Sequence, residues 1–208
     1  AASDVYKRQI TSISIPSAQI SELPVSKFQN LITFSFPNND LKNFPDLTDI
    51  VGSSLRTLNL SRNPFYLSEN SNERRFNENI INKISAEVTS LSLGGTFGGD
   101  IPKDILDRFE DLISLNLNYP GGGSKPFTAA TNPGVCTCPN VSNTVTNYSI
   151  ANNAFSSFDS SPGTGMVSVK TSTGIVNLNL EGNGLLIDNT FSIASNSIST
   201  VNINRTRL

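Results

Sequence analysis

The chain has no histidine among its 208 residues. That removes Ser–His–Asp and Cys–His nucleophiles, and the His-Glu-x-x-His zinc site, from this segment. Tryptophan is also absent. Protein-binding hot spots favour Trp, Tyr and Arg, so the missing Trp weighs towards a solvated face over a binding one. Charged residues make up 15% of the chain, with 15 Lys and Arg against 17 Asp and Glu, for a net charge of −2. With a sequence pI near 5.1, no basic stripe is available for a nucleic-acid partner. No apolar run approaches the ~20 residues of a membrane-spanning helix, so no membrane insertion is expected within this segment. Gly121-Gly122-Gly123 is not followed by Lys-Ser/Thr at phosphate-loop spacing. The two cysteines, Cys136 and Cys138, are too close for an ordinary disulfide. Without histidine they make a poor metal site. Free or intermolecular thiols are expected, with no metal, no cofactor and no catalytic residues.

Ser, Thr and Asn fill the space that charge leaves. The first nine residues, AASDVYKRQ, stand apart. They resemble the in-frame translation of a transposase adapter used in sequencing libraries, GCA GCG TCA GAT GTG TAT AAG AGA CAG. Residues 1–9 are therefore set aside as a non-native tail. The native segment is expected to start at Ile10, as a fragment of a longer protein.

From Ile10 on, one pattern recurs: apolar, two variable, apolar, one variable, apolar, two variable, then Asn or a small residue, one variable, apolar. Copies begin at Ile10, Leu31, Leu55, Val88, Leu112, Val145, Ile175 and Ile198, so successive starts are 21, 24, 33, 24, 33, 30 and 23 residues apart. Eight matches in register are a strong repeat signal. The apolar–variable–apolar centre, such as Leu58-Asn59-Leu60, predicts a short strand with two residues inward and one outward. Asn39, Asn63, Asn153 and Asn183 fall where each coil must turn within the core, and a buried amide can satisfy backbone groups freed there. One coil cannot bury its own apolar side, so stability must come from stacking.

Over residues 10–208 the chain resembles the leucine-rich repeat family. The resemblance implies an α/β solenoid, a horseshoe with a parallel concave β-sheet and an irregular, short-helical convex side. It also implies a binding habit without fixing a ligand. The helical spacing of Phe76, Ile80, Ile81 and Ile84 predicts a convex helix over 72–87. A second short helix is expected over 102–111, with Ile105, Leu106 and Phe109 inward. A parallel β-helix is the rival fold, and these helical patterns argue against it.

The outward strand-centre residues are read as Ser14, Ser35, Asn59, Ser92, Asn116, Ser149, Asn179 and Asn202. Flanking outward positions add Thr11, Thr33, Arg56, Thr57, Arg62, Thr89, Tyr119, Thr146, Asn147, Asn177, Glu181, Thr200 and Arg205. The ligand-binding candidates are Arg56, Asn59, Asn116, Tyr119, Asn147, Ser149, Asn177, Asn179, Glu181 and Asn202. Such a neutral polar face suits a glycan or a polar protein partner. It also suits a solvated sheet whose small side chains bond one another. The Gly/Pro-rich insertion near 119–142, with Lys125 and Phe127, is a second candidate for binding or a tolerated insertion. Asn59, Asn140, Asn147 and Asn204 fit the N-glycosylation pattern, as chance predicts in so Asn/Ser-rich a chain.

The expected function is a non-catalytic recognition module. The low-charge, Ser/Thr/Asn-rich composition resembles surface adhesins and points to a cell surface or extracellular setting. Two alternatives stand beside it: a rigid spacer in a surface or viral fibre protein, and an accessory domain of an enzyme whose catalytic part lies elsewhere.

Overall fold

The computed structural model describes residues 9–23, 28, 30–47, 54–97, 101, 105–119, 141, 144–153, 174–183 and 197–204. They contain eight three-residue strands: β1 Ser12–Ser14, β2 Thr33–Ser35, β3 Thr57–Asn59, β4 Ser90–Ser92, β5 Ser114–Asn116, β6 Asn147–Ser149, β7 Asn177–Asn179 and β8 Thr200–Asn202. All eight form one sheet in chain order. Every neighbouring pair is parallel and in register, so Ile13, Phe34, Leu58, Leu91, Leu115, Tyr148, Leu178 and Val201 form one continuous row. One strand per coil, stacked in sequence, makes this a leucine-rich-repeat solenoid.

Each strand is centred one residue earlier than the sequence pattern suggests. Its middle residue is the inward apolar one, as Leu58 is in Thr57–Asn59. Leu60 follows the strand rather than closing it. Its N–H still donates to Ser92 O at 3.0 Å. Its carbonyl turns instead to the Asn63 side chain at 2.8 Å, and the strand ladder ends there.

Buried asparagines end four of the coils. Asn63, fully buried, donates to Leu60 O of its own coil and to Phe36 O of the coil before, both at 2.8 Å. Its Oδ1 accepts from Leu41 N at 3.2 Å. Asn39 and Asn153 repeat the link to the preceding coil through Ile15 O and Leu117 O, each at 2.8 Å. Asn183 does so through Ile150 O at 2.9 Å. Thr96, at the same position in the fourth coil, reaches only Leu93 O of its own coil.

Beneath the sheet lies one continuous core. It holds the strand-centre row from Phe34 to Leu178 together with Leu60, Leu93, Leu117, Ile150 and Leu180, with Ile13 partly buried against it, while Val201 at the last strand is 40% exposed. An aromatic cluster fills the convex side of coils two to four: Phe97 stands 5.4 Å from Phe65, 5.6 Å from Phe76 and 5.9 Å from Phe44, centroid to centroid. Truncating a buried leucine such as Leu58 to alanine removes contacts worth about 2–5 kcal/mol.

The convex helices are shorter than periodicity predicts. Phe76, Ile80, Ile81 and Ile84 are buried as expected. Regular α-helix, however, covers only α1, Glu78–Ile81, preceded by a 3-10 turn at Ser71–Glu73. Asn77 sets the start. Its backbone is extended (φ −139°, ψ −178°), and its side chain accepts from Asn79 N and Ile80 N, as an N-cap does. In the second predicted helix, residues 102–104 lie outside the described ones. The remainder buries Ile105, Leu106 and Phe109 but forms turns rather than helix. The bonds Phe109 N to Leu106 O and Leu112 N to Phe109 O span three residues, not four.

Candidate functional site

Side chains alternate across a strand. With the middle residues of β2–β7 buried in the core, the first and third positions fall on the opposite face, where Ser35 alone of the sixteen is buried. The third positions are the row read from the sequence, from Ser14 to Asn202. The first positions are Ser12, Thr33, Thr57, Ser90, Ser114, Asn147, Asn177 and Thr200. Sequence reasoning singled out five of these and passed over Ser12, Ser90 and Ser114. Their signal was present: each immediately precedes the central apolar residue. All sixteen outward side chains on the eight strands are Ser, Thr or Asn. None is charged or aromatic. In-register parallel strands stand about 4.8 Å apart, so the face carries two straight rows at that spacing.

The structure brings most of the sequence candidates together. Asn116, Ser149, Asn179 and Asn202 are successive partners across β5–β8, and Asn147 pairs with Asn177. Asn59 sits apart on β3, with Ser92 of β4 between it and Asn116. Arg56 precedes β3, where its guanidinium lies 3.4 Å from Glu87. Tyr119 lies beyond β5 at the opposite margin, half-buried, its N–H donating to Ala151 O at 2.9 Å. Glu181 follows β7 and accepts from Asn202 Nδ2 at 3.1 Å.

Many polar atoms of this face bond one another. Asn177 Nδ2 donates to Asn147 Oδ1 at 2.6 Å, and Asn147 Nδ2 to Thr146 Oγ1 at 3.1 Å. Ser149 Oγ donates to Asn118 Oδ1 at 2.8 Å. The third-row asparagines share a habit. Oδ1 of Asn59, Asn116, Asn179 and Asn202 accepts from the N–H two residues on, at Ser61, Asn118, Glu181 and Asn204, at 3.0–3.2 Å. Each caps the end of its own strand. Their oxygens are thus engaged, while the amide nitrogens of Asn59, Asn116 and Asn179 have no protein partner among the described residues. Two apolar side chains edge the face where the chain enters β2 and β5: Ile32 and Ile113, each 46% exposed.

The insertion candidates fall outside the described residues. Lys125, Phe127, Cys136, Cys138 and Asn140 are among these, as is the adapter-like stretch up to residue 8. Among the described residues, no group of three or more His, Cys, Asp or Glu could hold a metal ion. No described helix is long and apolar enough to cross a membrane.

No protein-family model matches the sequence, and no curated protein matches it. Among solved structures, the chain is similar to one in the crystal structure of the LRIM1/APL1C complex, with a TM-score of 0.54 and 15% sequence identity over 97% of this chain. The match covers 40% of that longer chain. At this identity the likeness is one of fold.

Proposed function

We propose that the chain is a recognition module without chemistry of its own, binding a protein or glycan partner across the exposed face of β5–β8. The observation that carries this is the sheet face itself, sixteen outward side chains that are all neutral and polar. With the asparagine oxygens turned to the backbone, Asn116 and Asn179 offer N–H donors. The ligand that fits carries acceptor oxygens, such as sugar hydroxyls and ring oxygens, peptide carbonyls or carboxylates. A protein partner is further supported by the similar solved structure, which is of a complex.

The test is a screen of the full chain against glycans and candidate proteins, followed by two variants. Asn116→Asp with Asn179→Asp keeps an oxygen for the strand-end bond and removes the donors. Binding should fall by roughly tenfold or more, since two charge-free hydrogen bonds are worth about 1–3 kcal/mol together, while the circular dichroism spectrum is unchanged. Replacing Asn116, Ser149 and Asn179 by Arg should abolish binding. If a bound partner tolerates the Arg variant, this face is not the site.

A second reading is a rigid spacer. The bonds among Thr146, Asn147 and Asn177, and between Glu181 and Asn202, favour it, because they spend face atoms on the stack itself. A folded, soluble sample that binds nothing in the screen is the outcome this reading expects.

A further inference from the structure

Two kinds of link beyond the strand ladder join coils near the end where the strands finish. The first is a backbone bond from turn to turn. Six of the seven junctions carry it, from Ser17 N to Pro37 O (3.0 Å) at the first to Gly182 N to Asn204 O (2.9 Å) at the last. The second is the buried asparagine side chain that reaches back to the previous coil.

Among the described residues, the junction between the fourth and fifth coils has neither, and Gly94 instead packs its bare Cα directly against the Asn118 backbone. Gly95 N and Asn118 O occupy the positions of the turn bond, and among the described residues no bond joins them. Position 120 stands in the asparagine register but is proline, whose side chain has no donor. The third and seventh junctions have Thr96 and Thr206 in place of the asparagine, but each keeps the turn bond: Arg62 N to Gly94 O at 2.8 Å and Gly182 N to Asn204 O at 2.9 Å. The third is also spanned by Phe97 against Phe65. Beyond the seam, coil five is tied forward instead: Asn118 Oδ1 accepts from Ser149 Oγ and from Ala151 N at 2.8 and 2.7 Å. The strands themselves remain paired, Ser90 with Ser114 and Ser92 with Asn116. At the opposite margin Ile113 N and Ser114 N both donate to Thr89 O.

We infer that the solenoid is two blocks, coils one to four and five to eight, which hinge at this seam. The margin where the strands end opens, and the margin where they begin acts as the pivot. Local opening of this kind occurs where few bonds hold adjoining cooperative units. The seam divides the binding face. Arg56 and Asn59 lie on one side, and the other eight candidates on the other, so opening changes the distance between the two groups.

Native-state hydrogen exchange on the full chain tests this at one amide. Leu93 N donates across the seam to Asn116 O at 3.0 Å. Its equivalents at the other interior junctions are Phe36, Leu60, Leu117 and Ile150, donating to Asn59, Ser92, Ser149 and Asn179. Leu93 should exchange roughly tenfold or more faster than all four. Its rate should also rise less steeply with urea than that of the slowest amides, because hinge opening exposes less surface than global unfolding. A Leu93 amide as slow as its equivalents overturns the hinge. So does a Leu93 rate with the full urea dependence of global unfolding.

Discussion

Replacing Asn63 by alanine should cost more than its size suggests. The side chain is fully buried and satisfies three backbone groups: Phe36 O, Leu60 O and Leu41 N. Alanine serves none of them, and water has no route to a site with no exposed surface. Each buried polar group left alone costs about 1–3 kcal/mol. Partial relaxation puts the sum towards the lower end, about 3–5 kcal/mol. In a chain of this size that lowers the melting temperature by roughly 6–20 °C. Asn63→Thr supplies an internal control. Thr96 shows that a hydroxyl at this position still reaches the carbonyl of its own coil. The threonine variant should therefore keep the bond to Leu60 O and lose the other two, costing about 2–3 kcal/mol. The assay is urea unfolding followed by circular dichroism, with both variants beside the wild type. A loss under about 1 kcal/mol for alanine, or a threonine variant as damaged as alanine, would refute the idea that this side chain stitches adjacent coils.

Three further expectations follow from particular residues. Arg62 holds φ 59°, a left-handed conformation that costs a residue with Cβ about 1 kcal/mol; Arg62→Gly should raise stability by up to that amount, and a loss in thermal melts would contradict it. The pair Arg56–Glu87 is exposed, with side chains 42% and 52% accessible, so Glu87→Gln should cost less than about 1 kcal/mol and the difference should shrink in high salt. Asn153→Asp would set a buried carboxylate against the carbonyls of Leu117 and Ile150, where only the protonated form can donate. Its folded pKa is then raised above the unfolded value, so its favourable contribution is present at low pH and lost as pH rises through the folded pKa. Relative to wild type this variant should be least stable at neutral pH, and a pH-independent difference in urea midpoints would contradict the placement.

The repeat was legible because its physics is local and periodic. Each sequence match from Ile10 to Ile198 supplies one strand of the sheet, and Asn39, Asn63, Asn153 and Asn183 link adjacent coils from inside. The strand boundaries were off by one because periodicity cannot tell an apolar residue inside a strand from one just after it. What separates Leu58 from Leu60 is a carbonyl that turns to a side chain three residues on, which no pattern of apolar residues encodes. The convex helix was overextended for a similar reason. Phe76 shares a face with Ile80 and Ile84, but Asn77 between them caps the helix, and a cap overrides apolar spacing. Ser12, Ser90 and Ser114 occupy the same register as Thr33, Thr57, Asn147, Asn177 and Thr200, so the position was legible in the repeat and nothing in its spacing sets these three serines apart. Which polar atoms remain free to meet a ligand lay beyond the sequence altogether, since it depends on bonds made within and between coils.

Those bonds also bear on why the outer row carries Asn in four coils and Ser in the other four. Asn stands at 59, 116, 179 and 202, and in each case the N–H two residues later is bonded to its side chain. Ser stands at 14 and 35, where the residue two later is Pro16 or Pro37 and has no N–H to offer. Ser also stands at 149, where the N–H two later, on Ala151, is already taken by Asn118 of the coil before. Ser92, followed at this distance by Gly94, has no such account. The choice of residue in this row thus follows the turn beneath it more than any ligand above it. It follows that the row's sequence alone is weak evidence about a partner. What the turns leave exposed is stronger: donors on Asn59, Asn116 and Asn179, interleaved with hydroxyls. In the first row of each strand no turn dictates the residue. There the change from Ser and Thr on β1–β5 to Asn147 and Asn177 on β6 and β7 marks the part of the sheet where selection by a partner has the most room to act.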